Sequence, residues 1–99
     1  MYVVTGGGVV TNPSTFALRG QGSGRCLDIT SASRVNGALA EIWDCNGGTN
    51  QQWTLNGDGT VIGRESGMGL DVTGAGTANG TAVEIWQCTG GSNQKWTRQ

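Results

Sequence analysis

Histidine is absent from this 99-residue chain, which removes Ser-His-Asp and Cys-His nucleophilic catalysis and every histidine-containing zinc site. Charge is scarce too: 13% of residues are charged and the net charge is −1. The six basic residues are scattered. They form neither an electrostatic footprint for nucleic acid nor a basic patch for an anionic membrane. No run approaches the ~18 apolar residues of a membrane span. The opening "MYVVTGGGVV" lacks the basic n-region and long apolar core of a signal peptide. Proline occurs once against nineteen glycines, so the chain has many tight turns and is costly to order.

Cysteine is limited to Cys26, Cys45 and Cys88, with no C-x-x-C pair among them. Three distant thiolates match a structural zinc site poorly. A disulfide is the commoner reading for a glycine-rich, low-charge domain, and it implies an oxidising compartment, hence a secreted protein. Nothing in the composition demands a cofactor or a metal. The length suits one small domain, near the size at which a hydrophobic core begins to hold a fold alone.

What the chain does contain is an echo. "NQQWT" at 50–54 returns as "NQKWT" at 93–97, 43 positions later. Laid without a gap, 26–54 ("CLDITSASRVNGALAEIWDCNGGTNQQWT") and 69–97 ("GLDVTGAGTANGTAVEIWQCTGGSNQKWT") share 16 of 29 positions. Self-similarity at such a period marks a repeat architecture. We divide the chain into an N-terminal arm or linker (1–16), repeat 1 (17–59) and repeat 2 (60–99).

Within each repeat the signals are β. "CLDIT" and "AEIWDC" are short alternating runs bounded by Gly and Asn, which read as strands. "VNGA", "ANGT" and "NGDGT" carry turn dipeptides. No stretch holds a helical apolar stripe. "GAGTANG" is therefore a turn rather than a phosphate loop, and "NGDGT" lacks the downstream Glu of a calcium loop. Asn79-Gly80-Thr81 has the spelling of a glycosylation acceptor.

Strand neighbours face opposite ways. If Leu27, Ile29 and Ile42 face the core, then Asp28, Glu41 and Trp43 face out. Repeat 2 says the same: Leu70, Val72 and Ile85 inward, Asp71, Glu84 and Trp86 outward. Four of the seven acidic residues occupy these repeated positions. The tryptophans fall into two classes: Trp53 and Trp96, after Asn-Gln, as core plugs, and Trp43 and Trp86 half exposed beside a carboxylate. With Leu55 and Val61, the inward residues make a thin core.

Two acids and an exposed indole, repeated in register, suit a ligand that is polar at its edge and flat on one face. A pyranose is such a ligand: its C–H face lies on the indole while hydroxyls donate to Asp28, with Asn50 at the edge. Two other readings compete. Asp28 with Glu41 resembles the carboxylate pair of a glycoside hydrolase, although an exposed face gives little desolvation to raise an acid's pKa. A purely structural assembly unit would instead bury Trp43 and Trp86 between chains.

Taken together, "CLDIT", "AEIWDC" and the Gln-x-Trp signatures Gln51-Gln52-Trp53 and Gln94-Lys95-Trp96 resemble the ricin-type lectin repeat, carbohydrate-binding module family 13, over residues from about 17 to 99. The resemblance implies an all-β fold, the β-trefoil, with three repeats about a pseudo-threefold axis. It implies sugar pockets made by Asp28, Glu41, Trp43, Asn50 and Gln51, and by Asp71, Glu84, Trp86, Asn93 and Gln94. Galactose- or xylose-type ligands are expected, free or in a polysaccharide. The family commonly has Gln where Glu41 and Glu84 stand here, which bears on the sugar preferred.

The resemblance also implies a Cys26–Cys45 disulfide within repeat 1. Gly69 stands at the counterpart of Cys26, so Cys88 is expected free. A trefoil needs three repeats and this chain has two, each unable to bury its apolar face without neighbours. Three chains carry six repeats, or two complete trefoils. A homo-oligomer, most simply a trimer exchanging repeats at the "TLNGDGT" connection, is therefore expected, with a fragment of a longer protein as the rival account.

Overall fold

A computed structural model describes residues 15–97. Seven short strands follow the alternating runs: β1 Thr15–Phe16, β2 Cys26–Ile29, β3 Ala40–Trp43, β4 Trp53–Leu55, β5 Val61–Gly63, β6 Gly69–Val72 and β7 Val83–Trp86. Four 3-10 turns lie between or after them, at Thr30–Ala32, Thr49–Gln51, Thr73–Ala75 and Ser92–Gln94. The described residues contain no α-helix, as the missing helical periodicity requires.

Strands β2 and β3 form an antiparallel hairpin, pairing Asp28 with Glu41 and Leu27 with Ile42. In repeat 2, β6 and β7 pair Asp71 with Glu84 and Leu70 with Ile85. The five-stranded sheet runs β1-β4-β5-β6-β7. Thr15 and Phe16, the end of the segment read as an arm, join it through Thr54 and Trp53. "NGDGT" closes the β4–β5 hairpin: Asn56 N–H donates to Thr60 O at 2.9 Å, and Gly59 turns with φ 93°. Asp58 steadies that turn by accepting from Thr60 N–H and Oγ1, at 2.9 and 2.7 Å.

The core is Ile29, Trp53, Val61, Leu70 and Ile85, with Leu18, Leu27, Leu55, Val83 and Trp96 packed around it. Repeat 1 closes on repeat 2 through its own Asn-Gly turn. Gly37 N–H donates to Ile85 O at 2.8 Å, Ile85 N–H donates to Ala38 O at 2.9 Å, and Leu39 bridges Glu84. Arg34 and Thr49 of repeat 1 both hydrogen-bond Glu65 of repeat 2. The arrangement is two lobes of a β-trefoil.

Inward and outward assignments are corrected at Ile42, Asp28, Asp71, Glu84 and Trp96. Ile42, expected inside, is 54% exposed, whereas Ile85 at the same register position is fully buried. The reason is the neighbours: Ile85 packs in the core with Ile29 and Trp53 of repeat 1, whose Gly37 and Ala38 also pair with its backbone, and Ile42 is not in that cluster. Asp28 and Asp71, expected to face solvent, are 4% exposed, because the Asn-Gln turns fold over their face of the strand. Glu84, expected to face solvent, is 7% exposed, its carboxylate accepting from Thr73 Oγ1 at 3.0 Å and its backbone bridging Leu39 of repeat 1. Trp96 is half-buried where Trp53 is sealed.

Candidate functional site

The repeated Asn-Gln-x-Trp words make the same set of hydrogen bonds in both repeats. In repeat 1, Asn50 Nδ2 and Gln51 Nε2 both donate to Asp28 Oδ2, at 3.1 and 2.9 Å. The Gln51 amide also donates to Asp44 O and accepts from Asn46 N–H, at 2.9 and 3.0 Å. Two residues on, Trp53 Nε1 donates to Leu27 O at 3.1 Å. Repeat 2 reproduces each bond. Asn93 and Gln94 donate to Asp71 Oδ2 at 3.1 and 2.8 Å, and Gln94 also donates to Gln87 O at 2.9 Å. Trp96 Nε1 donates to Leu70 O at 3.0 Å. A carboxylate taken out of water needs such partners, and among the described residues no buried side-chain polar atom lacks one.

Above these bonds in repeat 1 is an open cleft of about 450 Å³ bordered by Asp28, Glu41, Trp43, Asn46, Asn50 and the turn from Thr30 to Ala32. Four of the five residues picked from the sequence in this repeat meet there. Gln51 lies beneath it, 1% exposed, with both amide ends engaged. Gln94 is likewise buried under Asp71. Trp43 presents its indole to solvent at 56% exposure, and Trp86 does so at 37%.

Sequence reasoning did not select Thr30, Ser31, Ala32 or Asn46. Thr30 had a signal, since a threonine follows the "LDI" and "LDV" words in both repeats. Ser31 and Ala32 enter through positive φ values of 57° and 51°, a backbone state that neither residue type advertises. Asn46 has no repeated counterpart, Thr89 standing in its place.

Placing Asp28 opposite Glu41 sets two acids side by side, which is unfavourable when both are ionised. Glu41 is held above the usual glutamate range, chiefly by its hydrogen bond to Asp28 and further by desolvation and the Asp28 charge. Burial does most of the same work on Glu84, helped by the hydrogen bond to Asp71, while the Thr73 hydroxyl, donating at 3.0 Å, opposes it. Each pair thus sets two acid side chains beside an exposed indole. Among the described residues there is no group of His, Cys, Asp and Glu that could hold a metal.

The family model for the ricin-type β-trefoil lectin domain matches residues 14–99. The chain belongs to that family. Carbohydrate binding is the work of such domains. A designed threefold-symmetric protein, ThreeFoil, is 40% identical with a TM-score of 0.79, over 83% of this chain and 61% of that one. An exo-β-1,3-galactanase from Clostridium thermocellum is 32% identical with a TM-score of 0.79, over 89% of this chain and 20% of that one. The β-trefoil lectin of the Vibrio vulnificus hemolysin, solved with N-acetyl-D-lactosamine bound, is 25% identical with a TM-score of 0.75, over 88% of this chain and 64% of that one. The ricin-type chain described here spans less than two thirds of each.

The disulfide expected of a ricin-type repeat is present: Cys26 and Cys45 are bonded, with Cα atoms 5.1 Å apart. Cys88 is free and exposed. No helix among the described residues is long and apolar enough to cross a membrane.

Proposed function

We propose that the chain is a non-catalytic lectin module that binds galactose- or xylose-type sugars in one shallow pocket per repeat, at Asp28, Glu41, Trp43 and Asn50 and at Asp71, Glu84, Trp86 and Asn93. The carrying observation is the duplicated geometry: a buried carboxylate held on one oxygen by two side-chain amides, below an exposed indole. Ring stacking and charge-assisted hydrogen bonds together suit a pyranose. Gln51 and Gln94 act from below, orienting Asp28 and Asp71. The galactanase and the N-acetyl-D-lactosamine complex among the relatives favour a galactoside.

The acid pairs do not suit glycoside hydrolysis. Asp28 and Glu41 are direct cross-strand neighbours on one face of the hairpin, not two carboxyls set on opposite sides of a glycosidic bond. We further propose that the protein acts outside the cell, which the Cys26–Cys45 bond favours, and that it assembles as a homo-oligomer, most simply a trimer. The open face at Ile42 supports assembly, because the equivalent Ile85 is covered by another repeat. Multiple pockets on one particle would turn weak single-sugar binding into avidity for a polysaccharide.

A glycan array tests the ligand class. Wild type should mark galactosides or xylo-oligosaccharides, and the Trp43→Ala/Trp86→Ala double variant should mark neither. Equal array signals from the two proteins would sink the assignment. Light scattering tests assembly: a compact monomer near 10.2 kDa at low micromolar concentration would rule the trimer out.

A further inference from the structure

Repeat 1 reaches across the repeat boundary beside the pocket of repeat 2. Asn36 Oδ1 accepts from Gln87 N–H at 2.7 Å, and Gly37 N–H donates to Ile85 O at 2.8 Å. These two bonds grip the chain on either side of Trp86. Gly37 holds φ 89°, a conformation favoured by glycine, and a Cβ placed on it would stand 3.8 Å from Trp86 Cζ3. The backbone of the turn therefore lies alongside the indole.

Among the described residues pocket 1 has no such brace: no side chain of another repeat accepts from Asp44 N–H, the position equivalent to Gln87. Trp43 is 56% exposed against 37% for Trp86. The corresponding turn of repeat 2 has the same shape: Gly80 has φ 87°, and Thr81 N–H donates to Ala78 O at 3.2 Å, as Ala38 N–H does to Val35 O. Its Asn79, however, is exposed.

We propose that Asn36 is a positioning residue for the sugar pocket of repeat 2, so that a side chain of one repeat fixes the stacking platform of the next and the two pockets of the chain are unequal. A platform already braced loses less freedom when a sugar settles on it. Trp86 is braced in the free protein. Trp43 must be ordered by its ligand. The inference rests on the reading of Asp71, Glu84 and Trp86 as a sugar pocket.

The test uses lactose and xylotriose followed by tryptophan fluorescence. A Trp43→Ala chain reports pocket 2 and a Trp86→Ala chain reports pocket 1. Pocket 2 should bind more tightly. Asn36→Ala should weaken pocket 2 about fivefold, as loss of one hydrogen bond implies, and leave pocket 1 as it was. Asn36→Asp should restore pocket 2, since its carboxylate accepts from the same N–H. Without sugar, emission from the Trp43→Ala chain should move to longer wavelength with Asn36→Ala and return with Asn36→Asp. Equal loss in both pockets, no loss in pocket 2, or failure of Asp to restore it would overturn the inference while sparing the pocket reading. Failure of wild type to bind either sugar would overturn both.

Discussion

Repeats 1 and 2 spell nearly the same words and meet different surroundings. Ile42 and Ile85 occupy one register position, yet the first is 54% exposed and the second is sealed. Trp53 is sealed and Trp96 half-buried, although both indoles donate to the same carbonyl of their own repeat. The Asp, Asn, Gln and Trp hydrogen bonds of the pocket floor are the same in both repeats, so they are set by the repeat's own residues. Burial differs, so it is set by neighbours. Local polar geometry and hydrophobic cover are separable here, and the pocket floor depends on the first.

The largest effect expected from this comparison is in the core. Trp53→Ala should cost about 3–5 kcal/mol, enough to unfold so small a domain, while Trp96→Ala should cost clearly less. Likewise Ile85→Ala should cost about 2–5 kcal/mol, and Ile42→Ala little in a chain held monomeric by dilution. Chemical denaturation of the four variants checks the order. If Ile42 and Ile85 variants lose the same stability, Ile42 is covered in solution, and assembly is the explanation to pursue.

A second difference is covalent. Cys26–Cys45 closes a loop with a sequence separation of 19, and in the chain-entropy model such a loop stabilises by roughly 3 kcal/mol. Repeat 2 keeps half of the bond: a Cβ built on Gly69 would stand 3.4 Å from Cys88 Sγ. Gly69→Cys should therefore form a second disulfide and raise stability by about 3 kcal/mol under oxidising conditions, with no gain after reduction. Melting curves with and without reductant, together with thiol labelling, decide it. A reactive Cys88 in the oxidised variant would count against the equivalence of the two repeats.

The smallest effects concern pH. Glu84 has its pKa raised by burial and by the hydrogen bond to Asp71. Its contribution to stability is present below the ordinary glutamate value and fades as pH rises through the folded value. Glu65 is the reverse case, lowered by hydrogen bonds from Thr49 and then Arg34. Its contribution is present above the ordinary value and fades as pH falls. Glu84→Gln should thus gain on wild type at neutral pH and lose that advantage in mild acid, while Glu65→Gln should do worse than wild type at neutral pH. Melting temperatures from pH 3 to 8 check both signs; a neutral-pH loss for Glu84→Gln would contradict the first.

Much of this was legible in the sequence. The segments of the 43-residue echo form hairpins of the same register, the alternating words became strands, and the Asn-Gly and Asp-Gly dipeptides became turns. In repeat 1 the two acids and the exposed indole border one cleft. What alternation missed was cover. It gave Asp28 and Asp71 to solvent because it sees one strand at a time, whereas the Asn-Gln turn that closes over each lies some twenty residues downstream. It gave Ile42 to the core because Ile42 and Ile85 are the same word, and only tertiary packing, with Ile29 and Trp53 against Ile85, tells them apart. The left-handed backbone at Ser31 and Ala32 had no residue-type signal.

The central claim is one sugar pocket per repeat, and counting bound sugars tests it most directly. Native mass spectrometry of the chain with excess lactose or xylotriose should find two sugars per chain in wild type. Trp43→Ala and Trp86→Ala should each retain one, and the double variant none. Two sugars on the folded double variant would contradict the account.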